Sequence, residues 1–386
     1  MSNDQSVTAT APAIGTAGFD VRLVPAEQVE STVLPLWLKG MSDPEIVHHI
    51  QERFEWLYGH NPTGRTCSWV VVDRRSQEVL GACSIVPHRF HVGDAVLRAG
   101  LLVDFIVDPK ARVAGPAVAL QRGVAEQSAQ EGFDLLFGYP NQKAWPILAR
   151  AGYKAFGGTR MWARSLRADP PRVRRMLERH FQAKASAAIA HRLSAALAWP
   201  VAWAVQAGSR GLEAWQLMRD GTLTGQLRRF DRKAPQLSRP SSSLLHTDHS
   251  PEHLRWRFAT HPTHDYRIFE LHQGSDCVAW AIVRFYVESA EVQAAEWLPD
   301  HPALPRALWW HVARAVRGEG MQVLSINLAG STEVDRSLSS SLFIERPDDR
   351  KVILRAVNPL TATLLASLPL LATGQGWQLF AGTLDI

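Results

Sequence analysis

The chain has 386 residues, 46% of them hydrophobic and 20% charged, and 42 lysines and arginines against 37 aspartates and glutamates leave a net charge of +5. It is long enough for two domains and apolar enough to bury a core in each. Cys67, Cys83 and Cys277 are widely spaced with no C-x-x-C pair, which excludes a disulfide scaffold and a cysteine-based zinc site and makes the cytoplasm the expected compartment.

In chain order, residues 1–18 hold Ser, Thr and Ala but no basic residue ahead of an apolar core, so they do not read as a secretion signal. They are expected to form a disordered tail. The block Phe54-x-Trp56-x-Tyr58-x-x-x-Pro62 precedes two strand candidates, Ser68–Asp73 and Glu78–Val86. Next, Gly100–Val107 is a short apolar run rich in β-branched residues, as in a central strand. Asp104 is its only ionisable residue. A carboxylate there is costly to bury unless paired or functional. Two readings follow: a general base for an ammonium acceptor, or a residue that caps a bulge or pairs with Arg98 or His91.

After this strand comes a basic loop with a glycine, Arg112-x-x-Gly115-x-Ala117, and then Ala117–Gln130, whose apolar residues recur at helical spacing. Unpaired N–H groups converge at a helix N-terminus and the helix dipole adds positive charge there, so the loop can receive a phosphate-bearing cofactor. Gly132–Tyr139 is a second apolar strand, completing a βαβ-like unit.

The order strand, Arg-x-x-Gly-x-Ala loop, helix, strand, then Tyr139-Pro140-Asn141-x-x-Ala144 and Ala151-Gly152-Tyr153, resembles the GNAT acyltransferase superfamily over about residues 19–165. The resemblance implies acetyl-CoA or another acyl-CoA as co-substrate. It places Phe105, Ile106 and Val107 along the pantetheine arm, the amides of Val113, Ala114, Gly115 and Ala117 facing the pyrophosphate, and Asn141 beside the thiol end. Arg112 would add charge and a bidentate fork to phosphate oxygens. Pro116 departs by offering no N–H, although proline suits a first helical turn. Leu148 stands where family members often place the tyrosine that protonates the departing thiolate. Tyr139 is then the candidate acid, with Tyr153 the other nearby phenol and one expected to open a core strand.

Residues 160–235 carry 15 Lys/Arg against 5 Asp/Glu. They include an amphipathic helix candidate at Pro171–Phe181 and an apolar run, Leu193–Val205, too short for a bilayer that needs roughly 20 residues. Two readings stay open: helices packed on the domains with a solvated basic face, or a peripheral surface for anionic lipid. Nucleic acid is not expected, because no recognition motif accompanies the arginines.

Two hundred positions after the first tryptophan block, Leu254-x-Trp256-x-Phe258-x-x-x-Pro262 repeats it, again followed by two strand candidates, Tyr266–Leu271 and Cys277–Phe285. The repeated order predicts two copies of one fold. In the second copy Glu291–Leu298 takes the place of the cofactor strand and Leu304–Arg317 that of the helix, but the intervening Pro299-Asp-His-Pro-Ala303 has no glycine and two prolines. This copy is expected to lack cofactor binding and to shape the acceptor cleft. His246, His249, His253, His261 and His264 cluster near Asp248 and Asp265. They read as caps, turns or an acceptor loop ahead of a metal site, and no metal is expected. Leu360–Leu371 is expected as a buried helix and Gly376–Ala381 as a closing strand.

The expected fold is α/β: two GNAT-like domains of mixed, mostly antiparallel sheets, 19–165 and 239–386, joined by a basic helical linker, 166–238. The expected activity is acyl-CoA-dependent transfer, N-acetylation by direct attack on the thioester, with backbone donors near Val107 holding the oxyanion. A small-molecule or saccharide acceptor follows from the resemblance, an amino sugar, nucleotide sugar or cell-envelope precursor. Two alternatives are a non-catalytic acyl-CoA-binding or scaffold protein and an envelope transferase that uses aminoacyl-tRNA.

Overall fold

The computed structural model describes residues 14–16, 18–40, 47–111, 115–182, 186–231, 233–235, 237, 244–348, 350–372 and 375–383. The first copy runs β1 (Ile14–Thr16), β2 (Phe19–Leu23), α1 (Val29–Gly40) and α2 (Ile50–Phe54), which continues into a π turn, Glu55–Gly59. Then come β3 (Cys67–Asp73), β4 (Val79–Val92), β5 (Ala95–Val107), α3 (Pro116–Gln127), β6 (Leu135–Gly138), α4 (Trp145–Arg150), β7 (Lys154–Gly158) and β8 (Arg160–Ser165). β3 is buried at every residue but its last, so it reads as a continuous apolar run without alternation. Proline at its first position starts α3, and Leu120, Val124 and Ala125 seat it on the sheet. Gly123 lets it approach closely: a Cβ there would lie 2.6 Å from Val21.

A helical hairpin, α5 (Pro170–Gln182) and α6 (Ala187–Arg219), leads to the second copy. That copy comprises β9 (Leu223–Arg229), β10 (Leu245–Thr247), α7 (Pro251–Leu254) with a π turn at Arg255–Ala259, β11 (Tyr266–Gln273), β12 (Asp276–Phe285), β13 (Ser289–Trp297) and α8 (Leu304–Gly318). It closes with β14 (Val323–Gly330), α9 (Thr332–Ser339), β15 (Ile344–Arg346), β16 (Lys351–Ala356), α10 (Pro359–Ala366), α11 (Pro369–Ala372) and β17 (Trp377–Phe380). The repeated tryptophan blocks form equivalent π turns and meet each other. Trp56 Nε1 donates to the Trp256 carbonyl at 2.8 Å, Trp256 Nε1 donates back to the Trp56 carbonyl at 3.0 Å, and the rings stack 5.1 Å apart.

The sheet is mixed and mostly antiparallel, and its two halves exchange strands. The first runs β1-β2-β3-β4-β5-β6-β16-β7 and the second β9-β11-β12-β13-β14-β8-β15. After β7 the chain crosses at Thr159, so that β8 pairs with β14 and β15 of the second half. After β15 it crosses back, so that β16 lies between β6 and β7 of the first. The crossings touch: Thr159 Oγ1 donates to Asp348 at 2.5 Å and its N–H to the Arg350 carbonyl at 3.0 Å. A second seam runs from β14 through β17 and β10 to β4.

The segment expected as one buried C-terminal helix is two short helices with apolar surface in water. Pro369 starts α11 where a continuous helix would need its missing N–H. Thr361 and Leu371 are buried, whereas Leu360 is 85% exposed.

Candidate functional site

β5 and β6 are parallel but pair only at Ala99–Leu135, Gly100–Leu136 and Leu101–Phe137. Beyond Leu101 they part, and no other described strand pairs with that edge of β5. Leu102 to Ile106 are accordingly half-buried in what is otherwise a central strand. Phe105 rests against the core beneath α3, Ile106 against the α1 side, and Val107 is buried opposite Gly81.

The strand is also bulged here. Register slips between Ser84–Val103 and Ala82–Ile106, and Asp104 takes φ +52°, a left-handed conformation uncommon for aspartate. The bulge turns the Asp104 carboxylate onto α2. Arg53 holds Oδ1 at 3.0 Å and Oδ2 at 3.4 Å, and the Tyr58 hydroxyl lies 3.0 Å from Oδ2. Tyr58 is also 2.7 Å from Ser84 Oγ, which is 2.8 Å from Ser68 Oγ. With one proton to give, Tyr58 serves the carboxylate, which can only accept. Burial, then the neighbouring Asp104 charge, hold the Tyr58 phenol well above its usual pKa. The partner is thus Arg53, fifty-one residues upstream, and not Arg98 or His91. Arg98 donates its guanidinium to the Glu131 carbonyl and its backbone N–H to Asp134, and His91 stacks on His246.

At the far end of the split, Gly115 is the N-cap of α3 at φ +85°, and a Cβ there would meet nothing within 4 Å. Backbone conformation, not crowding, asks for glycine. Ala117 lies in the first turn, where N–H groups have no intrahelical acceptor. Arg112, Val113 and Ala114 lie outside the described residues. The Asp108 N–H is already donated to the Leu80 carbonyl at 2.8 Å.

Asn141 Oδ1 accepts the N–H groups of Lys143 and Ala144 at 3.0 and 2.9 Å, so its side chain caps the turn entering α4. Leu148 and Tyr153 are core residues. The Tyr139 hydroxyl is buried with no hydrogen-bond partner among the described residues, and burial pushes its pKa up.

The second copy has the same split, filled. β13 and β14 pair from Ser289–Val323 to Val292–Ile326 and then diverge. β17 enters between them, pairing with β14 at Leu328–Phe380, Ala329–Leu379 and Gly330–Gln378. Gln378 Nε2 reaches the Ala295 carbonyl on β13 at 3.4 Å, and Trp377, Leu379 and Phe380 are buried.

Sequence reasoning missed Arg53, Tyr58 and Ser84. A signal lay in the repeat itself: Tyr58 aligns with Phe258, so only the first copy carries the hydroxyl.

Neither a protein-family profile nor a curated protein matches the sequence. Solved structures do match the fold. A probable N-acyltransferase from Enterococcus faecalis V583 superposes with a TM-score of 0.57 at 12% identity, over 89% of this chain and 73% of that one. GCN5-related N-acetyltransferases from Anabaena variabilis ATCC 29413 (TM-score 0.53, 13% identity, 89% and 74%) and Kribbella flavida (0.50, 15%, 89% and 73%) match similarly. The chain therefore has the GNAT fold, mixed α/β and repeated along its length.

Proposed function

We propose that this protein is an acyl-CoA-dependent acyltransferase whose coenzyme lies in the split between β5 and β6. One observation carries the reading: both halves contain the split, one filled by β17 and the other left open beside Gly115 and Asp104. The free edge of β5 suits an extended amide-bearing arm, and the α3 N-terminus suits its phosphates. The coenzyme supplies an acyl thioester. The acceptor nitrogen or oxygen attacks the thioester carbon, the C–S bond breaks, and the acceptor proton passes to the Asp104–Tyr58–Ser84 network or to water.

The acceptor class is an amine-bearing small molecule, an amino sugar or a cell-envelope precursor. Glu52, Glu55, Asp231 and Glu252 line a groove between the two π turns against a single cation, Arg255, among its described lining residues. α2 and its π turn join this groove to Asp104, since Glu52 and Glu55 face it while Arg53 and Tyr58 hold the carboxylate.

A second reading, a coenzyme-binding protein without turnover, is favoured by Leu148 in the acid's place. Isothermal titration with acetyl-CoA, followed by free-thiol release over amine and amino-sugar panels, separates the two. Binding with thiol release supports the enzyme, and binding without release supports the second reading. No binding, with Gly115→Glu behaving like the wild type, overturns both. Thiol-independent transfer that requires charged tRNA would point to the aminoacyl class.

A further inference from the structure

The α5–α6 hairpin stands apart from this site. α6 buries a narrow stripe, Ala190, Ser194, Ala198 and Ala202, and near its end Glu213 and Gln216. Glu213 anchors it, accepting two bonds from Arg317 at 2.6 and 2.7 Å, with Arg164 at 3.5 Å. The opposite face is exposed and apolar. Ile189, Leu193, Leu197, Pro200, Ala204, Ala207, Gly211, Trp215 and Met218 recur every three or four residues, all exposed, with no charge in the series. At 1.5 Å per residue that stripe is about 44 Å long. Along its edge, Arg192, Trp199, Trp203 and Arg210 form one row, with Trp199 and Trp203 more than 70% exposed. Arg219 caps the far end over the Trp215 ring, and α5 adds exposed Arg175, Met176 and Arg179.

We infer that this face seats the protein on an anionic lipid surface. Apolar side chains of this number make a patch far larger than scattered exposure explains. Indoles flanked by guanidiniums match the headgroup boundary, where rings sit beside acyl chains and cations meet lipid phosphates. Charge selects lipid over a second copy of this chain. The exposed rim of this face carries Arg175, Arg179, Arg192, Arg210 and Arg219, so two such faces repel, while an anionic leaflet attracts them. No described helix is long and apolar enough to cross a membrane, so the hairpin lies along the surface. Glu213 and its arginines fix the angle at which the rest of the molecule then stands.

The test is co-sedimentation of the full chain with extruded vesicles, equimolar phosphatidylglycerol and phosphatidylcholine against phosphatidylcholine alone. The protein is expected to pellet with the anionic vesicles and to be released by salt. Trp199→Ser with Trp203→Ser should weaken partitioning by about tenfold or more, and Arg192→Glu with Arg210→Glu should abolish the preference for phosphatidylglycerol. All four side chains are exposed, so thermal midpoints should match the wild type and separate lost binding from lost folding. Equal binding to both vesicles, or none, overturns the inference. So does a dimer in sedimentation velocity that the tryptophan variant dissolves, which would assign the face to a second copy.

Discussion

The Asp104 carboxylate is held by a guanidinium from α2 and a phenol from the π turn that follows it, and its side chain is almost fully buried. Removing one partner of such a pair costs far more than the pair contributes, because a charge is left without its counterpart. Arg53→Met is therefore expected to destabilise the protein by about 3–5 kcal/mol. Tyr58→Phe should cost less, about 1–3 kcal/mol, for one hydrogen bond to a charged group. Chemical denaturation of both variants checks the order, and Arg53→Met behaving like wild type would refute it. The histidines make a second prediction. Burial lowers His246 to about 4, lowers His261 to about 2, and holds His88 well below its usual range. These rings are neutral in the fold but take protons near 6.5 when unfolded, so their contribution is intact above that pH and is lost as pH falls below it. Each should remove about 1.4 kcal/mol per pH unit between 6.5 and its folded value. The thermal midpoint should thus fall steeply from pH 6.5 to 5, and a flat profile there would contradict the assignment. Of the site residues, Asp104 was legible as the lone carboxylate in an apolar strand, and Gly115 as the glycine before a proline-started helix. Arg53 was not, because a surface-type residue in a short helix carries no mark of the strand it will meet.

β17 and α6 show how single elements settle what their sequences leave open. β17 is four residues, three of them apolar, that could close any sheet edge, and they occupy the split in the second copy. Trp377 lies fully buried, with Nε1 donating to the Leu371 carbonyl at 2.8 Å. Trp377→Ala should cost about 3–5 kcal/mol by leaving a cavity. It should not create a second coenzyme site, because the Pro299–Ala303 loop still has no glycine and two prolines without an N–H, and titration stoichiometry with acetyl-CoA checks this. For α6 the decisive contact is Glu213. Glu213→Ala leaves Arg164 and Arg317 facing each other near the Trp310 ring and should destabilise by about 3–5 kcal/mol. Glu213→Gln should cost less, since it still accepts a hydrogen bond. Equal losses for the two in urea unfolding would show that packing, not charge, holds the hairpin.

For the molecule as a whole, strand exchange and the Trp56–Trp256 pair join the halves, and the expected consequence is one cooperative unit. Neither sheet is complete without a strand from the other half, so tryptophan fluorescence and far-ultraviolet circular dichroism should report one coincident denaturant transition. Two separated transitions would mean that each half is stable on its own. The sequence by itself determined the repeat that relates the copies, the three strands and helix at the centre of each, and the strand–loop–helix that carries Gly115. Those are properties of local periodicity and turn chemistry, which act over a few residues and are written where they act. Only tertiary structure decided that β8 and β16 change places, that β17 fills one split and leaves the other open, and that Asp104 answers to Arg53. It also decided that the apolar run of α6 faces outward, not into a core. Strand pairing and ion pairing join groups from fifty to two hundred residues apart, and an apolar strand or helix face is equally satisfied by any apolar partner. Which partner it meets depends on the geometry of the whole sheet.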